Sequence, residues 1–342
     1  MSELPPRPPR RKRYRGKNPR AFDEKYKELA PHLHPEVVAK VRASGKTPAG
    51  THVPILAAEC LAALQLEPGM IGIDATLGYG GHALLFLKAI APGGILYGMD
   101  CDPIEQPKTT QRIAAAGYGS DVFRPVHRNY AGIAQLLRAE NLPAVDFVFA
   151  DLGCSSMQLD NPQRGFSFKN RGPLDMRMNP HHGQSAQKWL ENIRAEKLAR
   201  LLAIYGDLDQ PEDLASALAG RHFPDTLAFA DAIRAASAHE TASNIEHTVR
   251  MVFQTVRIAV NDEFSALDGF LRTIAASLGQ GSRVAMLTFH SGEDRRVKHA
   301  FRDGLRLGHY RAISETVITA SSEERHLNPR STSAKLRWAE KA

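Results

Sequence analysis

Met70-Ile-Gly-Ile-Asp-Ala-Thr-Leu-Gly-Tyr-Gly-Gly-His82 is the stretch that decides how this chain folds. The apolar run ending in Asp74 reads as a buried strand. Gly78, Gly80 and Gly81 follow as a tight turn, and Ala83 through Leu87 open a helix. Glycines at such a turn remove Cβ atoms, so a ligand can lie against the backbone amides and the helix N-terminus. The spacing Gly78-x-Gly80-x-x-Ala83 matches the dinucleotide fingerprint, with Asp100 about 20 residues further on.

Asp74 pulls away from a dinucleotide. A carboxylate just before the glycines repels a pyrophosphate but holds a cation. Asp100 ends a second apolar strand, Gly94-Ile-Leu-Tyr-Gly-Met-Asp, where it can accept both hydroxyls of a ribose. Asp151 ends a third, Val145-Asp-Phe-Val-Phe-Ala-Asp. S-adenosylmethionine carries a sulfonium and an ammonium and no phosphate, so three strands ending in Asp on one sheet edge suit it. The plainer alternative is that each Asp caps the helix that follows.

The composition narrows the class. Of 342 residues, 43% are hydrophobic and 24% charged, as in an ordinary globular protein of one large or two modest domains. No run approaches the roughly 18 apolar residues of a membrane helix, and the N-terminus lacks the apolar core of a secretion signal. Cys60, Cys101 and Cys154 give neither a disulfide framework nor a metal-ligand spacing, which points to a reducing, cytoplasmic setting and to no metal. The net charge of +7 favours a polyanionic partner. Much of it sits between Arg7 and Arg20, a stretch with three prolines and no acid, expected to be a mobile basic arm (residues 1–20) that tethers RNA or simply aids solubility.

Residues 21–50 read as a helical, charged lead-in, and an amphipathic helix covers Pro54 to Leu64. Strands at 94–100, 121–126 and 145–150 alternate with helices near 108–116 and 131–140, as in a parallel sheet wound by helices on both faces. Pro107 is expected to delay or break the first of these helices. After Asp151 the alternation stops. Helices are expected from Ser185, a cap, onward, at about 211–220, 226–237 and 244–277. A strand returns at Arg283-Val-Ala-Met-Leu-Thr-Phe, followed by a helix near 292–304 and candidate strands at 311–319 and 334–340. The expected architecture is an α/β doubly wound sheet, 51–159 and 261–342, with an all-helical insertion at 160–260.

Several blocks go beyond pattern: His52-Val-Pro-Ile-Leu, Asp74-x-Thr-x-Gly-x-Gly-Gly-His82, Asp151-Leu-Gly-Cys-Ser-Ser-Met-Gln-Leu-Asp and Arg164-Gly-Phe-Ser-Phe-x-x-x-Gly-Pro-Leu-Asp-Met-Arg-Met. Gly183-Gln-Ser-Ala, Phe253-Gln-x-Val-Arg-Ile-x-Val-Asn, Phe289-His-Ser-x-Glu-Asp-Arg and Asn328-Pro-Arg-Ser-x-Ser-Ala-Lys-Leu-Arg follow. In these blocks, from His52 to the C-terminus, the chain resembles the bacterial 16S rRNA cytosine-N4 methyltransferases. The resemblance implies a class I methyltransferase fold and S-adenosylmethionine as cofactor. It also implies a cytidine in the decoding region of 16S rRNA as target, within the small ribosomal subunit. No membrane is expected as a partner, and a homodimer is a possible assembly.

Carried over position by position, the cofactor contacts fall on Gly80, Gly81, His82, Asp100, Tyr130, Asp151 and Gln158. Asp100 would hold the ribose, Tyr130 would cover the adenine, and Gln158 would orient the cofactor or the base. His82 has a structural alternative. The chemistry would lie with Asp151, Ser155, Ser156 and nearby carbonyls, which accept from the amine as the methyl arrives in line. The base must leave its stack to reach them. Phe166 and Phe168 are candidates to stack on it or to pack in the core. Arg164, Arg171 and Arg177 are candidates to meet phosphates or to form local ion pairs. Cys154 raises C5 methylation through a cysteine nucleophile as a competing mechanism.

The chain also departs from the family. Met157 stands for a proline, Gly292 for a leucine, and Tyr205-Gly-Asp-Leu-Asp-Gln-Pro breaks the family's Tyr-Gly-Glu-Glu segment and the basic helix after it, while the basic arm looks extra. These departures keep two other readings open: a ribosome-binding assembly factor with weak or no catalysis, and an amino-methyltransferase acting on DNA or protein.

Overall fold

Among the described residues of the computed structural model, 54–342, eight strands form one sheet. They are β1 (Ile71–Asp74), β2 (Ile95–Asp100), β3 (Phe123–His127), β4 (Val145–Asp151), β5 (Leu278–Thr288), β6 (Tyr310–Ile313), β7 (Ile318–Thr319) and β8 (Lys335–Lys341). The basic segment 1–20 and the lead-in 21–50 lie outside the described residues. The order is β3-β2-β1-β4-β5-β8-β6, with β7 also paired to β8. β1 through β5 run parallel, whereas β8 is antiparallel to β5, β6 and β7. Strand order reverses between β1 and β4, and in such sheets the crevice beyond the carboxyl ends at that point is the ligand site.

The first half winds as its sequence suggests, through α1 (Ala57–Leu64), α2 (Gly81–Ile90), α3 (Glu105–Ala115) and α4 (Ile133–Ala139). Pro107 does not delay α3, which begins at Glu105 and carries the proline in its first turn. A first-turn N–H has no intrahelical acceptor, so its absence costs nothing there. After β4 the short α5 (Ser156–Asp160) leads into α6 (Ala186–Asn192), α7 (Ala195–Gly206), α8 (Glu212–Leu218), α9 (Thr226–Ala236) and α10 (Ala242–Asn261). Ser185 does cap α6, its hydroxyl accepting from the Lys188 amide at 3.3 Å. Helices α6 to α10 share a core of their own, in which Leu190, Leu202, Leu218, Phe229 and Val252 are fully buried.

The single helix expected over 244–277 is two. Asp262, at φ 50°, separates α10 from α11 (Glu263–Ser277), which returns the chain to the sheet. α11 runs directly into β5, longer than expected at its start, and α12 (Ser291–Arg306) and α13 (Ser322–Leu327) complete the helices. The candidate strand 311–319 is likewise two short strands, β6 and β7.

β4 shows why the sheet is closed on both faces. Phe147 and Phe149 point into a cluster with Phe86, Leu87 and Ile113 of α2 and α3. Val148 and Ala150 point the other way, toward Leu136, Phe270 and Val297 of α4, α11 and α12. A strand buried on both sides reads as a continuous apolar run, as this one does.

Candidate functional site

The glycine turn is built for close approach. Gly80 has φ +83°, and a Cβ there would lie 2.7 Å from Thr109 Cγ2. Gly81 is the first residue of α2, whose free amides face the carboxyl edge of the sheet. Thr76 joins β1 to β4: its hydroxyl accepts the Asp151 amide, and its own amide donates to Asp74 Oδ1 at 3.1 Å.

Three strand-end carboxyls meet at this edge, and among the described residues no cation pairs with any of them. Burial drives the Asp74 carboxyl up to about 7, with Asp100 nearby adding to the rise. Burial likewise lifts Asp100 to about 6, although it accepts the amides of Gly78 and Asp102, both at 2.8 Å. Asp151 rises to about 8 through burial, then through the charges of Asp74 and Glu293. Yet 31% of its side chain stays accessible. All three therefore lose solvation, and only Asp100 gains a slight compensation, from His127.

His82 supplies no counter-charge. Its Nε2 lies 3.0 Å from the Ile55 carbonyl, which can only accept, so that nitrogen carries the proton. The other nitrogen faces Asp151 Oδ2 at 3.6 Å. Burial draws the imidazole down to about 4, so it is neutral. The ring packs on Phe149 at 4.6 Å and supports β4 from behind. Tyr130 follows β3; its ring lies 5.3 Å from Phe270, and its hydroxyl reaches the Glu263 carbonyl at 3.4 Å.

The loop after β4 is held by a reciprocal cap. Ser155 Oγ accepts the Gln158 amide at 3.3 Å, and Gln158 Oε1 accepts the Ser155 amide at 3.0 Å. This holds the Ser155 hydroxyl oxygen at the start of α5, while Ser156 is buried as its first residue. Gln158 Nε2 donates to Asp102 Oδ2 at 2.8 Å. Cys154 Sγ accepts from Arg257 at 3.3 Å, and burial raises its thiol above the ordinary value.

The phosphate-contact candidates turn inward or sideways. Arg164 is 6% exposed and pairs with Asp102 at 2.7 Å. Arg177 forks onto Asp175, and the exposed Arg171 reaches Asp225 at 3.2 Å. Phe166 and Phe168 belong to the helical core, Phe168 lying edge-on to Phe253 at 5.3 Å.

Sequence reasoning gave no role to four groups that close the site. Arg257 grips Glu263 through two nitrogens, at 2.8 and 2.9 Å. Glu293 accepts the Phe289 amide at 2.8 Å and stands 3.1 Å from His290 Nε2. Asp102 anchors both Arg164 and Gln158. Arg257 and Glu293 lie within motifs visible in the sequence and pair locally, whereas the Asp102 pairings span 56 and 62 residues and leave no local signal.

Chemically, a crevice of uncompensated carboxyls beside free helix amides disfavours a pyrophosphate and fits a sulfonium nucleoside. Asp100 would hold the ribose hydroxyls, and the glycine turn and Asp74 the methionine moiety. A model of the MraW methylase family matches residues 49–342. The chain is 44% identical to ribosomal RNA small subunit methyltransferase H 2 of Alkaliphilus metalliredigens, over 97% of each chain. It is 42% identical to methyltransferase H 1 of Lachnoclostridium phytofermentans, covering 97% of this chain and 93% of that one. The Geobacter sp. methyltransferase H is 38% identical over 85% of this chain and 98% of its own. Coverage of 97% in the first two takes in most of the residues ahead of 50 as well. With the crevice, the ordered motifs and these relatives in agreement over nearly its whole length, the chain belongs to the MraW methylase family.

Proposed function

We propose that this chain transfers a methyl group from S-adenosylmethionine to the exocyclic N4 amine of a cytidine in the decoding region of 16S rRNA, within the small ribosomal subunit. The observation that carries this reading is the set of three unpaired carboxyls, Asp74, Asp100 and Asp151, at the reversal point of the sheet. When bound, S-adenosylmethionine supplies an electrophilic methyl group. The chain's own task is to make a poor nucleophile attack it.

The lone pair of a cytosine amine is delocalised into the ring, and acceptors on its hydrogens draw it back toward the nitrogen. Asp151 is the side chain placed for this. Ionised once a cationic cofactor is bound, its carboxylate can take up the proton shed as the new N–C bond forms. Ser155 also holds the loop, its hydroxyl oxygen accepting the Gln158 amide while its own proton and second lone pair stay available. The thiol of Cys154, only partly exposed, is held above its ordinary value by desolvation although Arg257 faces it, and this favours amine over ring-carbon chemistry, because C5 attack needs a thiolate.

The test is mass spectrometry of 16S rRNA nucleosides from a strain lacking the gene and from one complemented with wild-type or Cys154→Ser protein. Loss of N4-methylcytidine on deletion, and its return with either protein, is the expected result. Return of 5-methylcytidine with the wild type alone would place the chemistry at C5. No change in any ribosomal nucleoside would leave the assembly-factor reading in place.

A further inference from the structure

Asp102 lies two residues beyond the ribose-side carboxylate Asp100 and is 1% exposed. Groups from three segments converge on it. Its Oδ1 accepts the amides of Ile104 at 2.9 Å and Glu105 at 3.3 Å. Its Oδ2 accepts Gln158 Nε2 at 2.8 Å and Arg164 Nη1 at 2.7 Å. Gln158 and Arg164 are themselves buried. The other terminal nitrogen of Arg164 donates to the carbonyls of Arg177 at 3.0 Å and Met178 at 2.8 Å. The Met178 amide in turn donates to Asn261 Oδ1, and Asn261 Nδ2 donates to the Met176 carbonyl, both at 2.7 Å.

The result is one unbroken path. It runs from the Gly78 amide through Asp100 and Asp102 to Arg164, then to 176–178 and Asn261, the last residue of α10. A side branch through Gln158 reaches the capped loop at Ser155.

An apolar pair of similar volume would pack here at lower desolvation cost, so strength alone does not account for a buried guanidinium. Its fork does fix geometry: Arg164 meets Asp102 and both carbonyls in only one placement of the loop. Gly165, at φ +72°, lies so close beneath the Pro173 carbonyl that a Cβ would fall 2.2 Å from it, which holds the loop to that placement.

We propose that Asp102 and Arg164 are positioning residues that couple cofactor binding at Asp100 to the placement of the substrate-side loop, residues 164–178, and hence to RNA binding. The proposal rests on the functional reading above. Holding ribose at Asp100 fixes the Asp100–Asp102 turn, the turn fixes Arg164, and Arg164 fixes the loop. By linkage, RNA that favours the placed loop also tightens cofactor binding.

The test is hydrogen exchange of the full chain with and without S-adenosylhomocysteine, in wild type, Arg164→Met and the charge-neutral Asp102→Asn/Arg164→Met pair. In the wild type the nucleoside should slow exchange across 164–178 about tenfold. In the paired variant that ratio should fall below about twofold while affinity for the nucleoside changes less than about threefold. A purely structural role would speed exchange equally in free and bound states and leave the ratio unchanged. An unchanged ratio in the folded pair, or no protection in the wild type, overturns the coupling. Protein that couples normally yet methylates no ribosomal RNA would sink the functional reading and leave the coupling standing.

Discussion

The two ends of the crevice treat charge in opposite ways. At the carboxyl ends of β1, β2 and β4, Asp74, Asp100 and Asp151 stand without a cation among the described residues, and burial lifts each well above an ordinary carboxylate. On the side of the helical core, the strong charges near the site are already matched. Arg257 holds Glu263, Arg164 holds Asp102 and Arg177 holds Asp175. One end is arranged to be neutralised by a ligand. The other has its arginines engaged in holding loops, so Arg164 and Arg177 are poor candidates for phosphate contacts.

The contrast can be broken by substitution. The largest effect is expected at Asp151, which is asked both to neutralise and to take a proton. Asp151→Ala should lower methyl transfer by about 10³-fold or more, read as single-turnover rates at saturating cofactor. A loss below tenfold would remove it from the chemistry. On the matched side the penalty should appear in stability. Arg257→Met strands the buried Glu263 carboxylate and should cost about 3–5 kcal/mol in denaturant unfolding. Arg257→Met with Glu263→Gln should recover most of that loss, and failure to recover would mean the pair is not the source. Smaller again, Asp100→Ala should weaken S-adenosylmethionine binding by about 1.5–3 kcal/mol by calorimetry, the scale of charge-assisted hydrogen bonds. Unchanged affinity would take the ribose away from Asp100.

The open end was legible in the sequence; of the matched end only local pairs such as Arg177–Asp175 were within reach. Each of the three acids terminates an apolar run, and strand direction alone puts them on one edge. The Arg164–Asp102 pair spans 62 residues and the Arg257–Cys154 contact 103, so neither leaves a spacing to read. Helix periodicity runs through Asp262 without a break because the interruption is a single left-handed residue, not a glycine or proline. His82 was read both as a cofactor contact and as a structural residue, and the fold adds that its proton goes to Ile55. The groups at 1–20 and 21–50 fall outside the described residues, so the RNA tether stays an expectation from composition.

The central claim is that the cofactor's sulfonium, together with its ammonium, supplies the cations the strand-end carboxyls lack. In the free protein Asp74 and Asp151 hold protons up to about 7 and about 8. A cation favours their ionised forms and lowers both values, so binding must release protons, and affinity must rise with pH until the free-state values are passed. Calorimetric titration of S-adenosylmethionine and of neutral-sulfur S-adenosylhomocysteine, in buffers of differing ionisation heat, measures this directly. The account predicts net proton release near pH 7 for S-adenosylmethionine, an affinity about tenfold or more higher at about pH 8 than at about pH 6, and a markedly smaller dependence for S-adenosylhomocysteine. Equal pH dependence for the two nucleosides, or binding without proton release, would contradict it.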